Sequence, residues 1–119
     1  MTTDETTPLG SIQVAPRAIA SIAYHAALQS YGVVGLTSKS LVDGLAHVLV
    51  KDPTKGVEVR YDGSRIQIDL YVIIEYGTRI SSVARSVSNT VRFQVEKALG
   101  LPIHEVNVHV RGLRISNTD

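Results

Sequence analysis

The residues able to move a proton or hold a metal near neutral pH are four histidines, His25, His47, His104 and His109. They are scattered, and none of their spacings is that of a zinc motif. With no cysteine in the chain, a zinc site would need carboxylates gathered by the fold, so neither a metal nor any other cofactor is expected. His109 stands apart. Alternation along its strand turns it off the buried face, where it can meet Asp69 or Gln67 on a neighbouring strand. A histidine held by a carboxylate is the pair a general base needs. It is more often a structural hydrogen bond, so an enzyme or small-molecule binder built on His109 and Asp69 ranks last among the readings. Ser81, Ser82, Ser86 and Ser88 fall within one helical pattern, no Gly-x-Ser-x-Gly elbow occurs, and no base is paired with any of them. No catalytic residue is assigned.

Two further patterns point to binding. Gly32-Val33-Val34-Gly35 has the Gly-x-x-Gly form of the loop with which KH domains clamp a nucleic-acid backbone, and it falls between two predicted helices with Lys39 and Lys51 near in sequence. Its middle residues are valines where phosphate would call for Lys or Arg, so the segment reads first as a tight apolar connection. A KH-like nucleic-acid-binding module using Gly32, Val33, Val34, Gly35 and Lys39 is the alternative. On the long helix, Arg85, Asn89 and Arg92 lie on the solvent side with Glu96 continuing the face; such a stripe suits an acidic partner but is more often merely solvated. Phe93 falls outside the apolar stripe. It is expected to pack against the flank of the first helix, with exposure toward a partner as the other reading.

The elements that must position these residues follow from periodicity. Residues 1–9 read as a disordered leader, 10–114 as one domain and 115–119 as a flexible tail. Ser11 to Val14 alternates as a short strand. A helix from Pro16 to Tyr31 carries Ile19, Ile22, Ala23 and Ala26 inward and stops at Gly32. A second helix, capped near Ser38 or Ser40, buries Leu41, Val42, Leu45, Val48 and Leu49. Lys51 to Gly56 reads as a loop. Asp62-Gly63 joins Val57–Tyr61 to a strand from Arg65 onward as a hairpin. Ile66, Ile68, Leu70, Val72 and Ile74 then share the buried face, while Gln67, Asp69, Tyr71, Ile73 and Glu75 face the other way. The helix from Thr78 to Leu99 buries Ile80, Val83, Ala84, Val87, Val91, Val95 and Ala98, with Gly100 as its cap. Val106 to Val110 closes the chain as a strand. A helix between two strands makes them parallel neighbours or near-neighbours. The expected fold is α/β (α+β): two layers, a small mixed sheet with helices on one face, in the order β-α-α-β-β-α-β. The uncovered sheet face, with Gln67, Asp69, Tyr71, Ile73, Glu75, His109 and Arg111, is the expected interaction face, and an edge strand, Gly10–Val14 or Val57–Tyr61, could pair with another copy.

Composition narrows the classes. A hydrophobic fraction of 44% with 19% charged residues argues against wholesale disorder. A net charge of +1 argues against a dedicated polyanion binder. No apolar run reaches membrane-spanning length, and the polar, acidic start lacks the pattern of a signal peptide, so a cytoplasmic location is expected, with membrane association only through a partner.

Gly10-Ser11-Ile12-Gln13-Val14-Ala15-Pro16, Gly56-Val57-Glu58-Val59, the run Asp69-Leu70-Tyr71-Val72-Ile73-Ile74-Glu75-Tyr76-Gly77, Val83-Ala84 and Glu105-Val106-Asn107-Val108-His109-Val110 together resemble the alkaline-shock, or envelope stress response, protein family of bacteria. The resemblance spans about Gly10 to Gly112 and is most specific in the strand motifs flanking the long helix. It implies a small cytosolic, non-enzymatic protein, in some members held at the membrane through a partner, with links to envelope stress and, in others, to fatty-acid metabolism. It supplies no catalytic residues. The resulting expectation is a scaffold acting by protein–protein interaction. Its partner would be a membrane-anchored protein, a lipid-synthesis enzyme or another copy of the chain, with nucleic acid ranked behind and no direct membrane insertion.

Overall fold

A computed structural model describes residues 15–38, 49–63 and 65–115. In chain order it contains α1 (Pro16–Leu28), β1 (Val33–Leu36), a single helical turn α2 (Pro53–Gly56), β2 (Val57–Tyr61), β3 (Ile66–Glu75), α3 (Ile80–Leu99) and β4 (Glu105–Arg114). The expected strand at Ser11–Val14, and Leu41, Val42, Leu45 and Val48 of the expected second helix, lie outside the described residues, as do Lys39 and His47.

β3 is the spine of a mixed two-layer fold. β4 runs parallel along one side of it, from Gln67 opposite Glu105 to Glu75 opposite Arg114. Along its other side β2 pairs antiparallel with Ile66–Leu70 and β1 with Val72–Ile74, so two short strands share one edge. A strand paired on both sides reads as a nearly continuous apolar run, and burial is unbroken from Ile68 to Ile74. The parallel β3–α3–β4 unit is the crossover that the alternation of periods predicts.

α1 and α3 cover one sheet face. Ile66, Ile68, Leu70, Val72 and Ile74 project into them, against Ile19, Ala20, Ala23 and Ala27 of α1 and Val83, Val87, Val91 and Val95 of α3. Alanines on α1 let the layers approach closely, and each buried valine of α3 contributes about 1.5–3 kcal/mol. Ile80 and Ala98, assigned to the same stripe, are exposed in the first and last turns of α3, where cover runs out. Gly100 ends α3 in the left-handed conformation, φ 72°, its N–H donating to the Glu96 carbonyl.

Several expectations need correction. Gly32–Leu36 is a strand and its approach, not a tight connection, and α1 ends at Leu28, ahead of it. Two adjacent β-branched valines favour the extended backbone, and Glu75 N–H donates to the Gly32 carbonyl as β1 joins β3. Gly32 itself sits at φ 88°, where a Cβ would lie 2.7 Å from Val83 Cγ2, so glycine is what lets the chain pass beneath α3. Leu49, expected in a helix, instead bridges Thr37 in antiparallel fashion. Within the expected loop, Asp52 caps the turn α2 by accepting from Thr54 N–H at 3.0 Å. β4 extends to Arg114, its register shifting between Val72 and Ile73 so that Arg111 is the extra residue of a bulge.

Candidate functional site

The second sheet face is not the open surface that alternation suggests. Asp69 is 3%, Tyr71 6% and Ile73 0% exposed. Ile73 is paired with Gly35 on β1 and Gly112 on β4, and the Leu49 side chain lies against Gly35 beside it. Asp69 and Tyr71 are covered instead by long side chains that arch over them from β2 and β4. A period of two settles which way a side chain points, but not what its neighbours lay across it.

Asp69 is the hub of this layer. Its Oδ2 accepts from Arg60 Nη2 at 2.7 Å. Its Oδ1 lies 3.0 Å from His109 Nε2 and accepts from Asn107 Nδ2 at 3.2 Å. A buried carboxylate is tolerated because donors from both flanking strands satisfy it. The backbone registers bring them there: Asp69 stands opposite Glu58 and Asn107, with Arg60 and His109 reaching diagonally. Next along the sheet, the His109 ring stacks on Tyr71 at 4.8 Å between centroids and 12° between planes. The Arg111 guanidinium carbon lies 5.0 Å from the centre of the same ring, and the Tyr71 hydroxyl donates to Glu58 Oε1 at 3.4 Å. The outward parts are the Arg60 side chain, 53% exposed, and that of His109, 43% exposed.

The structure thus joins His109, Asp69, Tyr71 and Arg111 in one cluster and leaves Gln67 and Glu75 half-buried at its two ends. Arg60 and Asn107 were not singled out by the sequence reading. The signal was present: Asp62 N–H donates to the Arg65 carbonyl and Tyr61 faces Ile66, and that loop length sets Arg60 one diagonal from Asp69.

A cavity of about 430 Å³ opens beside the cluster, lined by Arg60, Tyr61, Asp62, Arg65, Gln67, His104 and Glu105. Neither Asp69 nor His109 lines it. The helix surface divides. Arg85 and Asn89 are exposed, and Phe93, expected to pack, is 60% exposed with Lys97 Nζ 5.8 Å from its ring centre. Arg92 and Glu96 instead hold the turn before β4: Arg92 Nη1 donates to the Ile103 carbonyl, and Glu96 Oε2 accepts from Ile103 N–H at 2.8 Å. From Val33 onward the Gly32–Gly35 segment is strand backbone engaged with β3, with Gly32 the turn residue that leads into it, and it offers no phosphate-gripping loop. Among the described residues no helix is long and apolar enough to cross a membrane.

Known proteins resemble this chain over most of its length. YloU of Bacillus subtilis is 42% identical over 113 residues, 93% of this chain and 94% of that protein. Spy1614 of Streptococcus pyogenes is 34% identical, covering 97% of each, and YqhY of Bacillus subtilis is 31% identical over 92% of this chain and 82% of that protein. Among solved structures, a variant of the MamM CTD in a zinc form superposes with a TM-score of 0.52 at 17% identity, over 85% of this chain and 89% of the other. That likeness shows the fold alone. A family model described by a cell envelope-related function matches residues 4–115, and the chain belongs to that family, the alkaline-shock proteins.

Proposed function

We propose that this chain is a non-enzymatic protein-interaction module of the cell envelope, reaching the membrane through a protein partner and binding through the layer centred on Asp69. The observation that carries the reading is a buried carboxylate held by three donors, with the exposed parts of Arg60 and His109 fixed above it. Side chains ordered in advance lose little entropy on binding, and an aromatic, guanidinium and imidazole cluster is the kind of surface that proteins recognise. The same geometry speaks against catalysis. Both oxygens of Asp69 are already engaged, and the adjacent cavity is lined by neither member of the His109–Asp69 pair.

The test is capture of complexes from cells by the tagged full chain after nuclease treatment, compared with Arg60→Ala and His109→Ala. The reading expects a protein partner that survives nuclease and is lost in both variants, while circular dichroism reports an intact fold. Capture that vanishes with nuclease, or that both variants leave unchanged, contradicts it.

A further inference from the structure

We infer that the cavity of about 430 Å³ at the turn of the β2–β3 hairpin is a binding site for a small zwitterion of the amino-acid class, its carboxylate held by Arg65 and its ammonium by Glu105. The registers that build the Asp69 layer build this cavity as well. Gln67 stands between Arg60 on β2 and Glu105 on β4, and His104 N–H donates to the Ile66 carbonyl at 2.9 Å, which fixes where β4 begins. The volume falls within the range of small-molecule sites, about 300–1,000 Å³.

Arg60, Arg65, Asp62 and Glu105 line the cavity, and one residue of each sign is already engaged by the protein. Arg60 Nη2 donates to Asp69 at 2.7 Å, and Asp62 Oδ1 accepts from the Arg65 N–H at 3.0 Å, which ties it to the hairpin turn. Arg65 and Glu105 are left. Both are exposed, and among the described residues the Arg65 guanidinium and the Glu105 carboxylate form no ion pair or hydrogen bond with each other or with any other group. Gln67, the half-buried residue of the lining, likewise has a carboxamide without a hydrogen bond among the described residues, and it offers a ligand both donors and an acceptor. The two remaining charges cancel. A simple anion or cation would meet a group of its own sign here, whereas a ligand carrying both charges satisfies each. The Tyr61 ring, 44% exposed and with its hydroxyl donating to the Gly63 carbonyl at 2.8 Å, gives the ligand's side chain an apolar wall. The site does not rest on the Asp69 reading: loss of partner capture would leave it standing, and loss of ligand binding would leave partner capture standing.

The experiment is NMR titration of the full chain with each of the standard L-amino acids, followed in the backbone amides and the Gln67 side-chain amide, then with the tightest binder in its N-acetylated and C-amidated forms. Saturable shifts centred on Arg65, Gln67 and Glu105 are expected, with a dissociation constant of about 1 mM or tighter. Blocking either end should weaken binding about tenfold, the loss of one charged hydrogen-bonding partner. Arg65→Gln should weaken the free amino acid to the same degree and leave the C-amidated form, which has no carboxylate to lose, unaffected. Glu105→Gln should do the same for the free amino acid and leave the N-acetylated form unaffected. Amide dispersion in the same spectra reports the fold, and if a variant unfolds the two blocked forms on the natural chain still decide the matter. Absence of saturable binding by every amino acid overturns the inference, as do shifts centred elsewhere, blocked forms that bind as tightly as the free amino acid, or variants whose effects do not follow the two ends of the ligand.

Discussion

His109 Nε2 lies 3.0 Å from Oδ1 of Asp69, forty positions earlier in the chain. The parallel register of β3 and β4 sets Tyr71 opposite His109 and Asp69 opposite Asn107, and the imidazole reaches back one diagonal to the carboxylate. The pair is one arm of a three-strand network that also takes in Arg60 of β2.

If Asp69 is the hub, Asp69→Ala removes one acceptor from three donors at once. A loss of about 1–3 kcal/mol is expected, read as a lower urea midpoint at unchanged slope. An unchanged midpoint would mean that the side chains above Asp69 are not held by it.

Gly32 and Gly100 both adopt positive φ, yet substitution should separate them. At Gly100 a Cβ meets nothing within 4 Å, so Gly100→Ala carries only the backbone strain, about 1 kcal/mol. Gly32→Ala adds a collision with the buried Val83, for a total of roughly 2–4 kcal/mol. Equal thermal shifts for the two variants would count against β1 passing beneath α3.

Two neighbouring positions on α3 test its orientation. Val91 is fully buried and Phe93 is 60% exposed, so Val91→Ala should cost about 2 kcal/mol and Phe93→Ala about 0.5 kcal/mol or less. The reverse order would place Phe93 in the core, as its residue type alone suggests.

Asp52 supplies a pH signature. Hydrogen bonds from the Thr54 hydroxyl and N–H hold its carboxyl below the ordinary value, with Lys55 and Arg17 adding to the effect. A carboxyl whose pKa is depressed in the folded state stabilises the cap above its unfolded pKa and loses that effect as pH falls through the folded value. The Thr54 amide resonance should therefore titrate with a midpoint below 3.8; a midpoint at or above that value would show the cap is not formed.

Much of the fold was legible because its signals are local. Alternation from Ile66 to Glu75, the Asp62-Gly63 turn, the four-residue valine ladder of α3 and Gly100 each report a nearest-neighbour preference, and the β3–α3–β4 crossover follows from their order. β1 was missed because Gly32 just before it and Gly35 within it resemble a connection, while its strand character comes from pairing with a distant segment. The site was legible in part for the same reason. Alternation grouped Asp69, Tyr71 and His109 on one face, but the arching of Arg60 and Arg111 over them depends on the hairpin register and on the β4 bulge. Arg92 was read as solvent-facing since nothing within α3 tells that the Ile103 carbonyl comes to meet it.

The measurement closest to the central claim is site-specific photo-crosslinking in living cells, with a photoreactive residue in place of His109 or Arg60 and, as control, of the exposed Gln29 at the end of α1. The Asp69-centred face predicts nuclease-resistant protein adducts at His109 and Arg60 and none at Gln29. Adducts at all three positions, adducts to nucleic acid, or none at His109 and Arg60 would contradict it.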